Sequence, residues 1–130
     1  MTNGNGYDLP IGSEGDLIRG LAEVDKLARD EGRPRVVVLA SDIDAGDAPY
    51  LSIGVGSDDS VLVYEAGDGE GGGYSKGPRT GDRTPVTFAY GTAPTEYLAW
   101  MLIPKAVAFE AARQFHRTGA QPTNVEWDDI

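Results

Sequence analysis

With 130 residues the chain has the length of one domain, 1–130, and it can bury roughly two-thirds of the surface it exposes when unfolded. It has no cysteine, which excludes a disulfide framework, a thiolate zinc site, an iron–sulfur cluster and a cysteine nucleophile. Twenty-one acidic against eleven basic side chains leave a net charge of −10, a surface that repels nucleic acid and anionic lipid and steers a basic partner.

Met1 to Gly12 is rich in Gly and Asn, with neither a basic start nor an apolar block, so it is expected to be flexible and not a secretory signal. Ser13-Glu14-Gly15-Asp16 has the form of a capping box. Leu17, Ile18, Leu21, Val24 and Leu27 then recur at helical spacing, while Glu23, Asp25, Lys26 and Arg29 are expected to point elsewhere. Gly32 and Pro34 end this helix. Arg35-Val36-Val37-Val38-Leu39-Ala40 is a continuous β-branched run, expected to be a central strand buried on both faces. Tyr50 to Val55 alternates, placing Leu51, Ile53 and Val55 together, and Gly56-Ser57-Asp58-Asp59 turns the chain into a hairpin partner, Ser60 to Glu65.

Gly67 to Gly73 reads as a flexible acidic loop tip, Tyr74-Ser75-Lys76 as a short edge strand, and Pro85 to Tyr90 as a full strand. Thr92 to Met101 looks irregular and is expected to cross the sheet. Pro104 suits the first turn of a second helix, which Gly119 closes and Pro122 prevents from resuming. Ala108, Ala111, Ala112 and Phe115 share one face of it, and Val125 and Trp127 alternate with Glu126 and Asp128 as in a short strand. The order implies an α+β fold, a single domain with a mainly antiparallel meandering β-sheet that carries the N-terminal and C-terminal helices on one face. The longest apolar run, Tyr97 to Ile103, is too short to span a membrane, so the expectation is a cytoplasmic protein with no membrane partner.

Catalytic chemistry is poorly represented. His116 is the only histidine, and its place on the last helical turn is explained by the negative helix end. Gly67 to Gly73 lacks the Lys-Ser/Thr ending of a phosphate-binding loop, and its Asp68 and Glu70 would repel phosphate. Asp42-Ile43-Asp44-Ala45-Gly46-Asp47 resembles a calcium loop only briefly, because its sixth position is not glycine and Ile53 stands at the twelfth. The sequence therefore suggests no enzyme, no metal site and no cofactor.

Acidic residues gather in turns instead: Asp42, Asp44 and Asp47; Asp58 and Asp59; Glu65, Asp68 and Glu70. Tyr50, Tyr64 and Tyr74 lie beside them, and tyrosine with a charged rim is common interface chemistry. These residues are candidate partner contacts; the plainer alternative is a set of solvated turns with half-buried tyrosines. Trp127, Phe88, Phe109 and Phe115 read as core.

The run Ala111-Ala112-Arg113-Gln114-Phe115, Thr118-Gly119, Pro122 and Val125-Glu126-Trp127 resembles the C-terminal signature of the first-numbered polymorphic-toxin immunity ("Imm") family. The resemblance implies an immunity protein, or antitoxin, that binds a cognate toxin domain and blocks its active site. In that family the toxin is typically a zinc-dependent nucleobase deaminase, so the partner would be protein and not nucleic acid. Alternatives are an immunity or adaptor protein for another toxin class, such as a nuclease, and a small-ligand-binding α+β domain. The residues that carry the resemblance read as scaffold, so the contacts are expected upstream.

Overall fold

The computed structural model describes residues 13–40, 48–67 and 71–129. Its first element is α1 (Glu14–Asp30), which starts where the Ser13 Oγ accepts the Asp16 N–H at 3.1 Å. That bond satisfies one of the amides that a first helical turn leaves unpaired. Leu17, Leu21, Val24 and Ala28 are its buried apolar stripe. Leu27, expected on that stripe, is 44% exposed, because Ala28 continues the row set by Leu17, Leu21 and Val24. Asp25, expected to face away, is buried.

After α1 come β1 (Arg35–Ala40), β2 (Tyr50–Val55), β3 (Asp59–Ser60), β4 (Leu62–Glu65), β5 (Gly72–Lys76), β6 (Pro85–Tyr90), β7 (Ala93–Leu98) and β8 (Ile103–Pro104). Then follow α2 (Lys105–Thr118) and β9 (Glu126–Asp129). The main sheet has the order β7-β6-β1-β2-β4-β5-β9, and β3 pairs apart with β8. β1, β2, β4 and β5 form the expected antiparallel meander. The β6–β7 hairpin then returns to the free side of β1, meeting it in parallel at Arg35 and Ala89.

Four local expectations change. The Ser60 to Glu65 strand is split: the Ser60 Oγ donates to the Gly54 carbonyl at 2.7 Å, and Asp59 and Ser60 leave β2 to pair with β8. Tyr74 to Lys76 is not an edge, because β9 pairs with β5 beyond it. Gly72 and Gly73 belong to β5 and not to a loop tip; a Cβ on Gly72 would lie 1.9 Å from the Tyr64 carbonyl oxygen. Thr92 to Met101 is not irregular but holds β7 and a 3-10 turn at Ala99–Met101. Pro94 and Glu96 disguise β7 in the sequence, and both are tolerated there because β7 is an edge strand.

Side-chain alternation gives the sheet two packed sides. On one, Val37 and Leu39, Leu51, Ile53 and Val55, and Leu62 and Tyr64 meet both helices through Leu17, Leu21, Ala108, Ala111, Ala112 and Phe115. Tyr64 there receives Phe115 and Trp127 edge-on, with ring centres 6.2 and 6.3 Å away. On the other, Val36 and Val61 pack with Phe88, Tyr97, Ala99, Met101 and Leu102. The Phe88 ring lies against Gly54, where a Cβ would come within 2.7 Å of it. β1 is thus packed on both faces, as its β-branched run implies.

Candidate partner-binding surface

The two helices close one side of the sheet, so an accessible surface has to be sought on the other. There the β6–β7 hairpin and residues Ala99 to Leu102 bury Val36 and Val61. Beyond that cover, Val38, Tyr50, Val63, Glu65 and Tyr74 are half-buried, and Tyr90 is 54% exposed. Pairing puts Tyr50 opposite Glu65 and Val63 opposite Tyr74, so these side chains share one face. Tyr90 follows Val86 and Phe88 at the two-residue period of β6 and projects to the same side.

The phenols on this face sense each other. Burial first, and then hydrogen bonding to the Glu65 carboxylate, push the Tyr50 phenol up to about 12, with Tyr90 adding to the effect. Burial likewise raises Tyr97, and the nearby phenols of Tyr74 and Tyr90 raise it further. At neutral pH Tyr50 and Tyr97 are therefore uncharged hydroxyl-bearing rings, with Tyr50 beside the Glu65 carboxylate. Such rings offer apolar area and a hydrogen-bonding tip at little cost in side-chain entropy.

The candidate contacts fall into separate groups. Tyr50 and Glu65 stand together at one end of the sheet, with Tyr74 farther along the same face. Asp58 and Asp59 belong to the opposite end, a strand length away, or roughly 17 Å. Both are paired internally: Arg29 donates to Asp58 at 3.1 Å and Arg79 to Asp59 at 3.2 Å. Tyr64 is 8% exposed and engaged by Phe115 and Trp127 on the helix side, so it has little surface to offer a partner. Asp42, Asp44, Asp47, Asp68 and Glu70 lie outside the described residues. The strand ends that lead into their segments, at Ala40, Tyr50, Glu65 and Gly72, are mutual neighbours at the Tyr50 end.

Other residues on this side escaped the sequence reading. Tyr90 was legible in principle from the inward spacing of Val86 and Phe88. Asp128 stands in an acidic C-terminal stretch of the sequence and Trp100 in the Thr92 to Met101 crossing, but only tertiary folding brings them together with Lys76 and Arg83. They line a cleft of about 230 Å³ with Gly77, Thr80 and Gly81.

His116 is exposed on the last turn of α2. Among the described residues no group of three or more His, Asp or Glu side chains could hold a metal ion. No helix among them is long and apolar enough to cross a membrane.

A family model described as immunity protein Imm1 matches residues 5–129. No curated protein matches the chain. The family match covers almost the whole sequence and includes the strands of the open face as well as the C-terminal signature. The chain belongs to the Imm1 family of immunity proteins of polymorphic toxins.

Proposed function

We propose that this immunity protein binds the domain of a zinc-dependent nucleobase deaminase toxin and blocks its active site in the cytoplasm of the producing cell. Membership of the Imm1 family carries the reading, because it implies a cognate toxin as partner and a binding role. The charge supports the finer target. A deaminase must admit a base and its flanking phosphates, so it needs a cationic approach to its pocket. A chain of net charge −10 is attracted to such a surface and disfavours nucleic acid as its own ligand.

The proposed contacts are Tyr50, Glu65, Tyr74 and the exposed Tyr90, together with Asp42, Asp44, Asp47, Asp68 and Glu70 on the segments that leave the Tyr50 end of the sheet. The test is to express the toxin domain encoded beside this chain and follow deamination of DNA and RNA with increasing immunity protein. Activity is expected to vanish near equimolar protein, and association is expected to slow steeply with salt. Undiminished deamination by a toxin that the chain fails to bind refutes the reading. Inhibition of a neighbouring nuclease would keep the immunity role and replace the deaminase.

A further inference from the structure

The basic side chains are distributed in a way that the net charge hides. Of the eleven, eight lie within 4.0 Å of a carboxylate of the described residues. Arg33 is a ninth with a partner, donating to the Gly91 carbonyl. Lys76 and Arg83 alone have no such partner among the described residues, and both line the Trp100 cleft. The cleft is held by backbone. Gly77 N–H donates to the Trp100 carbonyl at 2.8 Å, and Trp100 N–H donates to the Asp82 carbonyl at 2.9 Å. Gly77 cannot be replaced cheaply, since a Cβ there would fall 1.5 Å from the Leu102 carbonyl oxygen.

We propose that this cleft seats an Asp or Glu side chain of the toxin domain. The proposal rests on the immunity reading and adds to it a second, oppositely charged contact. Lys76 follows Tyr74 on β5 at the two-residue period, and Asp128 pairs with Tyr74, so the cleft continues the open tyrosine face. Gly72, opposite Glu65, is four residues from Lys76, which places the cationic cleft roughly 13 Å from the acidic end. Two cations and the half-buried Trp100 ring suit a carboxylate on a short apolar stem. Asp128 on the rim and Glu126, which pairs with Lys76 across the strands, work against a dianion, and the −10 field works against any free anion. A carboxylate carried on a partner already held by its basic surface escapes that field. Opposite charges at the two ends of one face also fix which way round the partner docks.

The decisive variant is K76E/R83E in the full chain, assayed by calorimetry against the cognate toxin domain. Both side chains are exposed, so the fold is expected to survive, as checked by thermal unfolding. The two reversals carry the net charge from −10 to −14, which by itself speeds encounter with a basic partner. The cleft contact requires the opposite: affinity about tenfold or more weaker, recovered when one toxin Asp or Glu is changed to Lys. If K76E/R83E unfolds, K76Q/R83Q is used and is expected to weaken binding as well. Undiminished binding by a folded variant overturns the cleft contact. Failure of the unaltered chain to bind overturns the immunity reading beneath it. Saturable binding of inorganic phosphate that K76Q/R83Q abolishes would show a free-anion site and overturn the carboxylate assignment.

Discussion

Replacing Asp25 by alanine removes a fastener shared by three elements. One oxygen of its carboxylate accepts the Gly56 N–H at 2.7 Å, and the other accepts Lys105 Nζ at 3.0 Å and Arg29 Nε at 3.3 Å. It thereby ties α1 to the turn after β2 and to the first residue of α2. The Gly56 bond is charge-assisted and part-buried, worth about 1.5–3 kcal/mol. Lys105 is 32% exposed and regains hydration when the pair is broken, so it adds less than about 1 kcal/mol, and the more exposed Arg29 adds little. Asp25→Ala is therefore expected to cost about 2–4 kcal/mol, read by urea unfolding at pH 7. Acid titration tests the charge separately. Burial alone would raise the Asp25 pKa, but the Gly56 N–H, then Lys105 and Arg29, outweigh it and hold the group below its ordinary 3.8. A carboxylate depressed on folding stabilises above its unfolded pKa, and that stability is lost as pH falls through the folded value. Asp25→Asn should thus flatten the decline in melting temperature below about pH 4. A loss under about 0.5 kcal/mol in Asp25→Ala, or an unchanged acid decline in Asp25→Asn, would refute the account.

Phe115→Ala removes a ring that is 3% exposed and set against Tyr64, and should cost about 3–5 kcal/mol in urea unfolding; a loss below 1 kcal/mol would mean the site collapses around the gap. Tyr50, raised to about 12, stabilises fully below its unfolded value near 10, and that stability is lost as pH climbs toward 12. Tyr50→Phe should shallow this alkaline decline in melting temperature, and an identical decline would disprove the assignment. Tyr90→Ala is expected to change stability by no more than about 0.5 kcal/mol while weakening toxin binding about tenfold, and unaltered affinity would remove Tyr90 from the contact surface.

Elements with a strong period were legible in the sequence. The buried row Ala108, Ala111, Ala112 and Phe115 and the left-handed Gly119 at φ +67° follow from local pattern. So does the Leu51–Ile53–Val55 face of β2. Elements defined by what crosses them were not. β7 carries Pro94 and Glu96 because its outer edge is unpaired, which is a fact of sheet order and not of local sequence. Gly72 looks like a loop residue until the Tyr64 carbonyl is placed against it. Asp25 looks like a solvated helix carboxylate until Gly56 and Lys105 arrive from 31 and 80 residues away. The same limit hid the Trp100 cleft, whose cations lie on β5 and in the segment before β6.

The two-sided sheet separates the aromatic residues of the C-terminal run from the proposed contacts. Phe115 and Trp127 meet at Tyr64, on the side that the helices close. One position away on the same strands, Val63 and Glu65 of β4 and Asp128 of β9 point to the open side, because successive strand residues alternate. A substitution on the open side changes the charge and shape offered to a toxin and leaves the apolar contacts across the sheet in place. A substitution at Phe115 disturbs packing on every element it touches. An immunity fold can therefore hold its framework constant on one side of a strand and exchange partners on the other. On this chain the proposed exchangeable side runs from Glu65 and Tyr50 through Tyr74 to Lys76, with a carboxylate at one end and the two cations of the Trp100 cleft at the other.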